Sequence, residues 1–352
     1  MKKIQIDNRK LVHNYCEPYI IAEIGANHNG DMNLAKEMIL SAKNAGADCV
    51  KFQSWTSKSL IAKEEYERNQ VYNDSKKKHF GSLKEMVEKY ALTDAQHKEL
   101  RDFCENEEIT FASSPFSEKE AKLLNDIDVP FFKIASMDIN NLTFLREVAS
   151  YQKPVIISTG MATLGEIETA LNACYKEGND KIMLLHCISI YPPLYEDIHL
   201  NNITTLQRTF DVPVGFSDHT IGTSIPLASA ALGACIIEKH FTTDKDLPGW
   251  DHEISADPKE LKVICEDSKN IVNALGSYKR IVSEAEESKK LRFRRSLVVN
   301  KDLNKGHVLT KDDLSAKRPG THIPPDQVNF VVGRSLKVDV SNDDLIKWEL
   351  LN

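Results

Sequence analysis

Eight short apolar runs between residues 19 and 241 alternate with longer segments that have helical periodicity. Each run is too short for a helix and is nearly continuous in apolar character, as expected for parallel strands that are covered on both faces. Eight strand–helix repeats with parallel crossovers predict an α/β fold, a (β/α)8 TIM barrel, rather than an open sheet. The runs are 19–25, 49–53, 110–115, 131–136, 154–160, 182–187, 213–219 and 235–241.

The segments between these runs carry helix signals. In 33–47 the apolar residues recur on one helical face. Thr163, with Glu166 three residues later, predicts a capping box, and Gly178 predicts the end of that helix. Further helices are predicted at 93–107, 117–127 and 257–276.

The chain divides into a barrel domain at 1–278, a charged linker at 279–292 and a small C-terminal domain at 293–352. The small domain contains short strand-like pieces broken by glycine and proline. A long polar segment at 54–91 follows the second strand. We interpret it as an ordered insertion over the barrel mouth, or alternatively as a decoration of the surface.

Composition excludes several classes of function. A net charge of −7 and a pI of about 5.9 argue against nucleic-acid binding. No stretch approaches the roughly 20 apolar residues that cross a membrane, and the N-terminus lacks the apolar run of a signal peptide. The seven cysteines are scattered and form no CxxC pair, so we expect neither disulfides nor a zinc cluster, and a cytoplasmic location.

Polar residues recur at the C-terminal ends of the predicted strands, where TIM barrels place their active sites. A single serine at such an end more often satisfies the backbone than binds a ligand, but here every strand supplies polar groups to the same end. Lys51 and Lys133 lie inside apolar runs, where an unpaired charge is costly to bury. Two interior lysines with neighbouring hydroxyls predict a site for phosphate or carboxylate oxygens.

His219 and His240 close the seventh and eighth strands, so their imidazoles can converge on one cation. A lone strand histidine is more often a packed residue than a ligand, and the spacing alone does not fix the metal. Two histidines completed by water and substrate oxygens suit Mn²⁺ or another divalent ion better than a closed zinc site. Glu238 lies two residues before His240 and should face the barrel axis as well.

These strand-end motifs resemble those of the sialic acid synthases, a family that includes the N-acetylneuraminate, legionaminate and pseudaminate synthases. The resemblance covers nearly the whole chain, and its motifs are in family order. The C-terminal domain resembles the family's antifreeze-like (SAF-type) domain, and AKRPG (316–320) resembles its sugar-facing loop. The motifs are IAEIGANHNGD (21–31), GADCVKFQ (46–53), FKIAS (132–136), ISTGMAT (157–163), LLHCISIYP (184–192), GFSDHTIG (215–222), IEKHFTTDK (237–245) and PGWDHEIS (248–255).

The resemblance implies condensation of phosphoenolpyruvate with an open-chain N-acetylated amino sugar, of the N-acetylmannosamine or diacetamido-trideoxyhexose type. It implies Mn²⁺, or another divalent ion such as Mg²⁺ or Co²⁺, on His219 and His240. It also implies a domain-swapped homodimer, in which Arg318 reaches the partner's sugar. The implied phosphoenolpyruvate site is Lys51, Ser114, Lys133, Ser136, Ser158, Ser189 and Ser217, and the implied sugar pocket is Glu23, Gln53, Tyr191 and Asp251.

Three positions depart from the family pattern. Asp138 stands where relatives of the neuraminate synthases carry glutamate, Ser189 where many carry asparagine, and Trp250 lies in a sequence that replaces a PGPD type. Lys51 is a further catalytic candidate, and we assign proton transfer to Asp138 or Glu23. The alternatives are the same reaction on a 6-phosphorylated sugar, a metal-independent Schiff-base aldolase, and a surface-binding module on an inert barrel.

Overall fold

All eight predicted strands are present, and they form one parallel sheet. The computed structural model describes residues 2–71 and 81–352, and within them the sheet has eight strands. The strands are β1 (Tyr19–Gly25), β2 (Cys49–Ser54), β3 (Thr110–Pro115), β4 (Phe132–Ile134), β5 (Val155–Ser158), β6 (Ile182–Cys187), β7 (Val214–Asp218) and β8 (Ile236–His240).

The strands are hydrogen-bonded in the order β3-β2-β1-β8-β7-β6-β5-β4. β3 and β4 are also neighbours, so the sheet curls into a nearly closed barrel. The predicted TIM barrel is confirmed. Its register places Glu23 beside both Lys51 and His240, which brings the ends of β1, β2 and β8 to one level.

Helices surround the strands, and the bounds of the five that the sequence predicted agree with the structure to within two residues. The predicted capping box is present, because the Thr163 side chain accepts from the Glu166 backbone and the Glu166 side chain accepts from the Thr163 N–H. The helices of this unit are Met32–Ala45, Lys63–Arg68, Leu83–Tyr90, Asp94–Asn106, Glu118–Asp126, Leu142–Ser150, Leu164–Lys176, Asn201–Phe210, Ser224–Ala231 and Pro258–Leu275.

An apolar plug fills the end of the barrel where the strands begin. A hairpin of Ile4–Gln5 and Leu11–Val12 supplies buried Ile4, Ile6 and Val12 to it. Inward-facing side chains from the strand starts complete it, including Tyr19 and Phe131, whose rings pack edge to face at 6.2 Å. Because apolar side chains fill the barrel interior at this end, the polar strand ends at the opposite mouth are the candidates for chemistry.

The segment after β2 packs on the barrel. Trp55, Tyr66, Val87 and neighbouring apolar side chains form a buried cluster with Ala26 of the loop after β1. Trp55 donates from Nε1 to the Val87 carbonyl at 3.1 Å. The described parts of 54–91 are therefore ordered against the mouth, as an insertion there requires. Residues 72–80 of that prediction lie outside the described residues.

The second compact unit runs from Ser277 to Asn352. Strands Ser296–Val299 and Leu314–Lys317 pair antiparallel over a small core, followed by the short helix Val328–Val331. A helix, Glu284–Phe293, occupies most of the segment predicted as linker. None of its residues is buried, which explains why its sequence shows no apolar stripe.

Among the helices of the described residues, none is both long and apolar enough to span a bilayer.

Candidate active site

A cavity of about 300 Å³ opens at the C-terminal ends of the barrel strands. Eighteen residues line it, contributed by all eight strands or the loops that follow them. Among the lining residues are twelve that the sequence predicted: Glu23, Lys51, Gln53, Ser114, Lys133, Ser136, Ser158, Ser189, Tyr191, Ser217, His219 and His240. The predicted polar strand ends therefore do meet at one place.

Lys51 is the centre of one half of the cavity floor. Its side chain is 2% exposed, and its Nζ lies 2.5 Å from Glu23 Oε2. The same ammonium donates to Ser114 Oγ at 3.0 Å. Gln53 donates from Nε2 to the other Glu23 oxygen at 3.0 Å. These contacts hold a charged lysine and a carboxylate side by side, so both are available to substrate atoms that enter the cavity.

Glu238 joins this half to the other. Its Oε1 lies 3.4 Å from Lys133 Nζ and accepts from Ser217 Oγ at 2.9 Å. Its Oε2 lies 3.8 Å from Lys51 Nζ. Two lysines and two glutamates therefore alternate across the floor, and all four are buried.

The two carboxylates titrate differently because they share the lysines unequally. Burial raises the pKa of Glu23 to about 7, and repulsion from Glu238 adds to the rise against the attraction of Lys51. Burial would also raise the pKa of Glu238, but Lys133 and Lys51 outweigh it and hold that pKa below its usual value.

The two ammonium groups are shifted in opposite directions. Burial would lower the pKa of Lys51, but Glu23 and Glu238 outweigh it and keep that lysine charged. Burial does lower the pKa of Lys133, which Glu238 only partly offsets. Lys51 is thus held as a cation on the cavity floor, while Lys133 gives up its proton more readily.

The two histidines face each other with ring centroids 5.5 Å apart. His219 Nδ1 donates to the Ile188 carbonyl at 2.7 Å, which leaves Nε2 with the free lone pair. His240 Nδ1 is buried, and within the described residues it makes no hydrogen bond. Burial lowers the pKa of both rings, so both are neutral, the form that ligates metal ions.

These nitrogens fit a divalent cation that keeps open positions. In the described part of the chain no three histidine, cysteine or carboxylate side chains converge in a metal-binding geometry. Asp251 comes nearest to adding a third ligand, with Oδ2 3.7 Å from His240 Nδ1. Among the residues that the structure describes, a closed structural site is thus not formed, and two histidines alone leave positions for water and substrate oxygens.

Three predicted residues lie outside the cavity lining. Asp138 directly follows the lining residues Ser136 and Met137 but does not line the cavity itself. Asp251 borders the site through His240. Arg318 belongs to the second unit, where its guanidinium stacks over the Phe293 ring at 4.9 Å.

Several lining residues were not predicted as site residues. Glu238 had been placed on the inward face of β8 but not assigned to the site, although its period-2 relation to His240 was a sufficient signal. Phe116, Met137 and Met161 add apolar surface to the cavity. They lie in loops just beyond the strands, where no periodic pattern marks them.

Gly160 supports the site without lining it. A Cβ at this position would overlap Ser189 Oγ and come within 2.7 Å of Ser136 Oγ. The Gly160 N–H also donates to Ser136 Oγ at 3.1 Å. Only glycine leaves both hydroxyls in their places. This requirement arises because Gly160, Ser136 and Ser189 lie on three separate loops.

An exposed apolar rim surrounds the mouth. Its side chains stand on the loops after β4 to β7, and each is at least 47% exposed. Clustered exposed apolar side chains mark a contact face more often than apolar side chains that are scattered singly. The rim consists of Met137, Met161, Leu164, Ile190, Tyr191, Leu194, Tyr195 and Ile221.

Comparison with known proteins gives the same family over both units. The NeuB family matches residues 38–280 and the SAF domain matches residues 294–352. The chain is 41% identical to an N,N'-diacetyllegionaminic acid synthase of Campylobacter jejuni, over 93% of this chain and 98% of that protein. It is 35% identical to human N-acetylneuraminate-9-phosphate synthase, over 95% of this chain and 92% of that one.

A solved structure gives the same result. A crystal structure of N-acetylneuraminic acid synthetase from Leptospira borgpetersenii superimposes with a TM-score of 0.71 at 36% identity. The match covers 82% of this chain and 95% of that one. The predicted family and enzyme class are confirmed: this chain belongs to the NeuB family of sialic acid synthases.

Proposed function

We propose that this enzyme condenses phosphoenolpyruvate with an open-chain N-acetylated amino sugar and water, giving a nonulosonic (sialic-type) acid and phosphate. One observation carries the proposal: two buried lysines and two buried, neutral histidines open into the same cavity. Lys51 and Lys133, with the serines beside them, suit phosphate and carboxylate oxygens. The histidines lie at the adjacent ends of β7 and β8 and suit a cation beside the sugar.

The proposed reaction forms one C–C bond and one C–O bond and breaks the C–O bond to phosphate. The methylene carbon of phosphoenolpyruvate forms a C–C bond to the aldehyde carbon of the sugar, whose oxygen takes up a proton. Water adds to the oxocarbenium carbon that results, and this carbon then releases phosphate as its C–O bond breaks. Lys51 and Lys133 hold the anionic donor so that the two carbons face each other. Such positioning of two reactants can lower a barrier by several kcal/mol.

Glu23 is the better placed of the two proposed proton-transfer groups. It lines the cavity and lies 2.5 Å from Lys51 Nζ, whereas Asp138 lies beyond the lining. A carboxyl group within reach of the sugar and the water can exchange a proton with either. We therefore assign proton transfer to Glu23 and a supporting role to Asp138.

His219 and His240 would hold Mn²⁺, or another divalent ion such as Mg²⁺ or Co²⁺. When bound there, such an ion supplies Lewis-acid chemistry at a substrate oxygen. The carbonyl of Ile188 fixes the His219 ring so that Nε2 faces away from the backbone. The buried Nδ1 of His240 supports the assignment, because no other described side chain satisfies it.

The acceptor that we favour is a diacetamido-trideoxyhexose. The chain is 41% and 39% identical to two N,N'-diacetyllegionaminic acid synthases, against 36% to a pseudaminic acid synthase and 35% to the human phosphosugar enzyme. Phe116, Met137 and Met161 give the lining apolar surface for a methyl group. Lys51 and Lys133 are the only lysine or arginine side chains among the described lining residues, and the donor would use both. A sugar 6-phosphate would find no further lysine or arginine among the described lining residues.

We further propose the domain-swapped homodimer that the family resemblance implies. A closed active site excludes bulk water and so protects reactive intermediates of phosphoenolpyruvate from side reactions. The exposed apolar rim around the mouth supports a covering partner, since its side chains would otherwise face water. Arg318 of a second copy would then meet the N-acetyl group.

The first experiment measures phosphate release from phosphoenolpyruvate with N-acetylmannosamine, its 6-phosphate and the two diacetamido-trideoxy sugars, each with Mn²⁺ and with EDTA. We expect Mn²⁺-dependent release with one diacetamido sugar. Release with the 6-phosphate alone would overturn the acceptor assignment, and release that EDTA does not reduce would overturn the metal assignment. Absence of release with every sugar would contradict the proposed reaction.

Two variants test whether His219 and His240 hold the metal. His219→Ala/His240→Ala should lose Mn²⁺-dependent release, while His13→Ala, beside the opposite end of the barrel, should keep it. A fully active double variant would refute the site. The lowered pKa of Lys133 is also what a Schiff-base aldolase needs, so trapping with borohydride and pyruvate separates the two reactions. Because the proposed synthase forms no Schiff base, Lys133 should stay unmodified. Trapping at Lys133 would favour the aldolase.

A further inference from the structure

A buried ion pair lies directly behind the two histidines. Lys239 Nζ is 2.6 Å from Asp218 Oδ2, and the two side chains are 1% and 0% exposed. The two residues are also opposite each other in the register of β7 and β8. Each precedes a histidine in the chain: Asp218 precedes His219, and Lys239 precedes His240.

Alternation along the strands explains the placement. Glu238 and His240 face the cavity, so Lys239 between them points to the outside of the barrel. Ser217 faces inward and bonds Glu238, so Asp218 next to it also points outward. The pair therefore lies away from the cavity, and its hydrogen bonds reach the histidines through the backbone that carries them.

Asp218 also holds the turn in which His219 lies. Its Oδ1 accepts from the Thr220 N–H at 3.0 Å and its Oδ2 from the Thr220 hydroxyl at 3.1 Å. Lys239 Nζ donates to the Thr220 carbonyl as well. Both sides of His219 are thus tied to β8, one residue before His240.

Stability alone does not explain these two charges. Removing two ions from water costs free energy that their mutual attraction often fails to return, and apolar residues of the same size are frequently as stable. The pair instead fixes positions, because Thr220 and Asp218 both accept hydrogen bonds from one lysine ammonium. Groups that orient metal ligands commonly control metal affinity by 10- to 100-fold.

We propose that the Asp218–Lys239 pair, with Thr220, is a positioning device that sets the spacing of His219 and His240 for a divalent cation. The inference rests on the proposed function, in which these histidines hold the cation. It adds three positioning residues that the cavity lining does not contain. Because the device lies outside the cavity, its loss should weaken metal binding without removing a ligand.

The test measures Mn²⁺ binding to the full chain without substrates, by titration calorimetry. Asp218→Asn/Lys239→Met removes both charges together, so neither is left buried alone. We expect its Kd for Mn²⁺ to rise 10- to 100-fold. The pulsed electron paramagnetic resonance signal of bound Mn²⁺ should also lose part of its imidazole-nitrogen coupling, a change that a lower thermal stability alone would not cause.

A matched control is available at the other end of the barrel. Lys10 Nζ and Asp48 Oδ1 form an ion pair of 2.8 Å, and Asp48→Asn/Lys10→Met removes it. This variant should bind Mn²⁺ as the unmodified chain does. A Kd for Asp218→Asn/Lys239→Met within twofold of the unmodified chain would overturn the inference.

A milder variant covers the case in which the double substitution does not fold. Thr220→Val keeps the side-chain shape and removes only the hydroxyl that bonds Asp218. It should raise the Kd several-fold, and an unchanged Kd would likewise overturn the inference. Failure of the proposed metal site looks different: the unmodified chain and His219→Ala/His240→Ala would then bind Mn²⁺ equally.

Discussion

Gly160 shows how one missing side chain shapes the proposed phosphoenolpyruvate site. In Gly160→Ala the new methyl group would meet the hydroxyls of Ser189 and Ser136. Both hydroxyls can rotate away, so we expect the fold to survive while the donor loses two contacts. A displacement of about 1 Å at a reacting group can lower the rate about 100-fold, so kcat/KM for phosphoenolpyruvate should fall by up to that factor.

Gly165→Ala is the matched control for this substitution. A Cβ at Gly165 meets no atom within 4 Å, so steady-state kinetics should be unchanged. Equal kcat/KM values for Gly160→Ala and the unmodified chain would show that the serine hydroxyls do not bind the donor.

Asp138 provides a pH-dependent test. Burial raises its pKa to about 6, above the usual value of 3.8. Between these pH values the folded chain retains a proton that the unfolded chain has lost, so the aspartate lowers stability as pH rises from about 4 to 6. Asp138→Asn should therefore be more stable at pH 8, by about 1 kcal/mol because the side chain is only partly buried.

Urea unfolding at several pH values measures this difference. The stability gain of Asp138→Asn should disappear below about pH 4, because residue 138 is then neutral in both the folded and the unfolded chain. A constant difference across pH would mean that Asp138 is not perturbed. A carboxylate that reduces stability at neutral pH is more often kept for function than for folding.

The helix Leu164–Lys176 tests the contribution of a single element. Its capping box joins Thr163 to Glu166 directly after the loop that carries Gly160. Thr163→Ala leaves the Glu166 N–H without its side-chain acceptor and should cost about 1 kcal/mol. Thr169→Ala in the same helix removes only a bond to the Gly165 carbonyl and should be close to neutral. Equal urea midpoints for the two variants would contradict the capping role.

The elements differ in how well the sequence predicts them. β1 to β8 were recognisable because buried parallel strands need continuous apolar runs, and Thr163 was recognisable because a capping box is local. The helix Glu284–Phe293 was read as a linker because none of its residues is buried. Gly160 and the Asp218–Lys239 pair were missed for another reason: their partners come from different strands and loops, which no local pattern records.

The site residues divide in the same way, into those with a local sequence signal and those without one. Lysines and histidines inside apolar runs are conspicuous, and the family motifs supplied eight further residues. All twelve line the cavity. Asp138 was named from the family motif, and only the structure separates it from the lining. The opposite pKa shifts of Glu23 and Glu238 depend on distances to two shared lysines, which the sequence does not contain.

Two compact units in one chain allow a test of the swapped dimer. His219→Ala/His240→Ala spoils the barrel site, and Arg318→Ala spoils the proposed cap. If each cap serves its partner, a mixed dimer holds one site with an intact barrel and an intact cap. If each cap serves its own barrel, a mixed dimer holds none.

Refolding the two inactive variants together therefore distinguishes the arrangements. Random pairing in a twofold-symmetric dimer makes half of the dimers mixed, so activity should return to about a quarter of that of the unmodified chain. Each variant refolded alone is the control and should stay inactive. A mixture that also stays inactive, while sedimentation shows dimers, would mean that the cap covers its own barrel; monomers would mean that the exposed apolar rim has another partner.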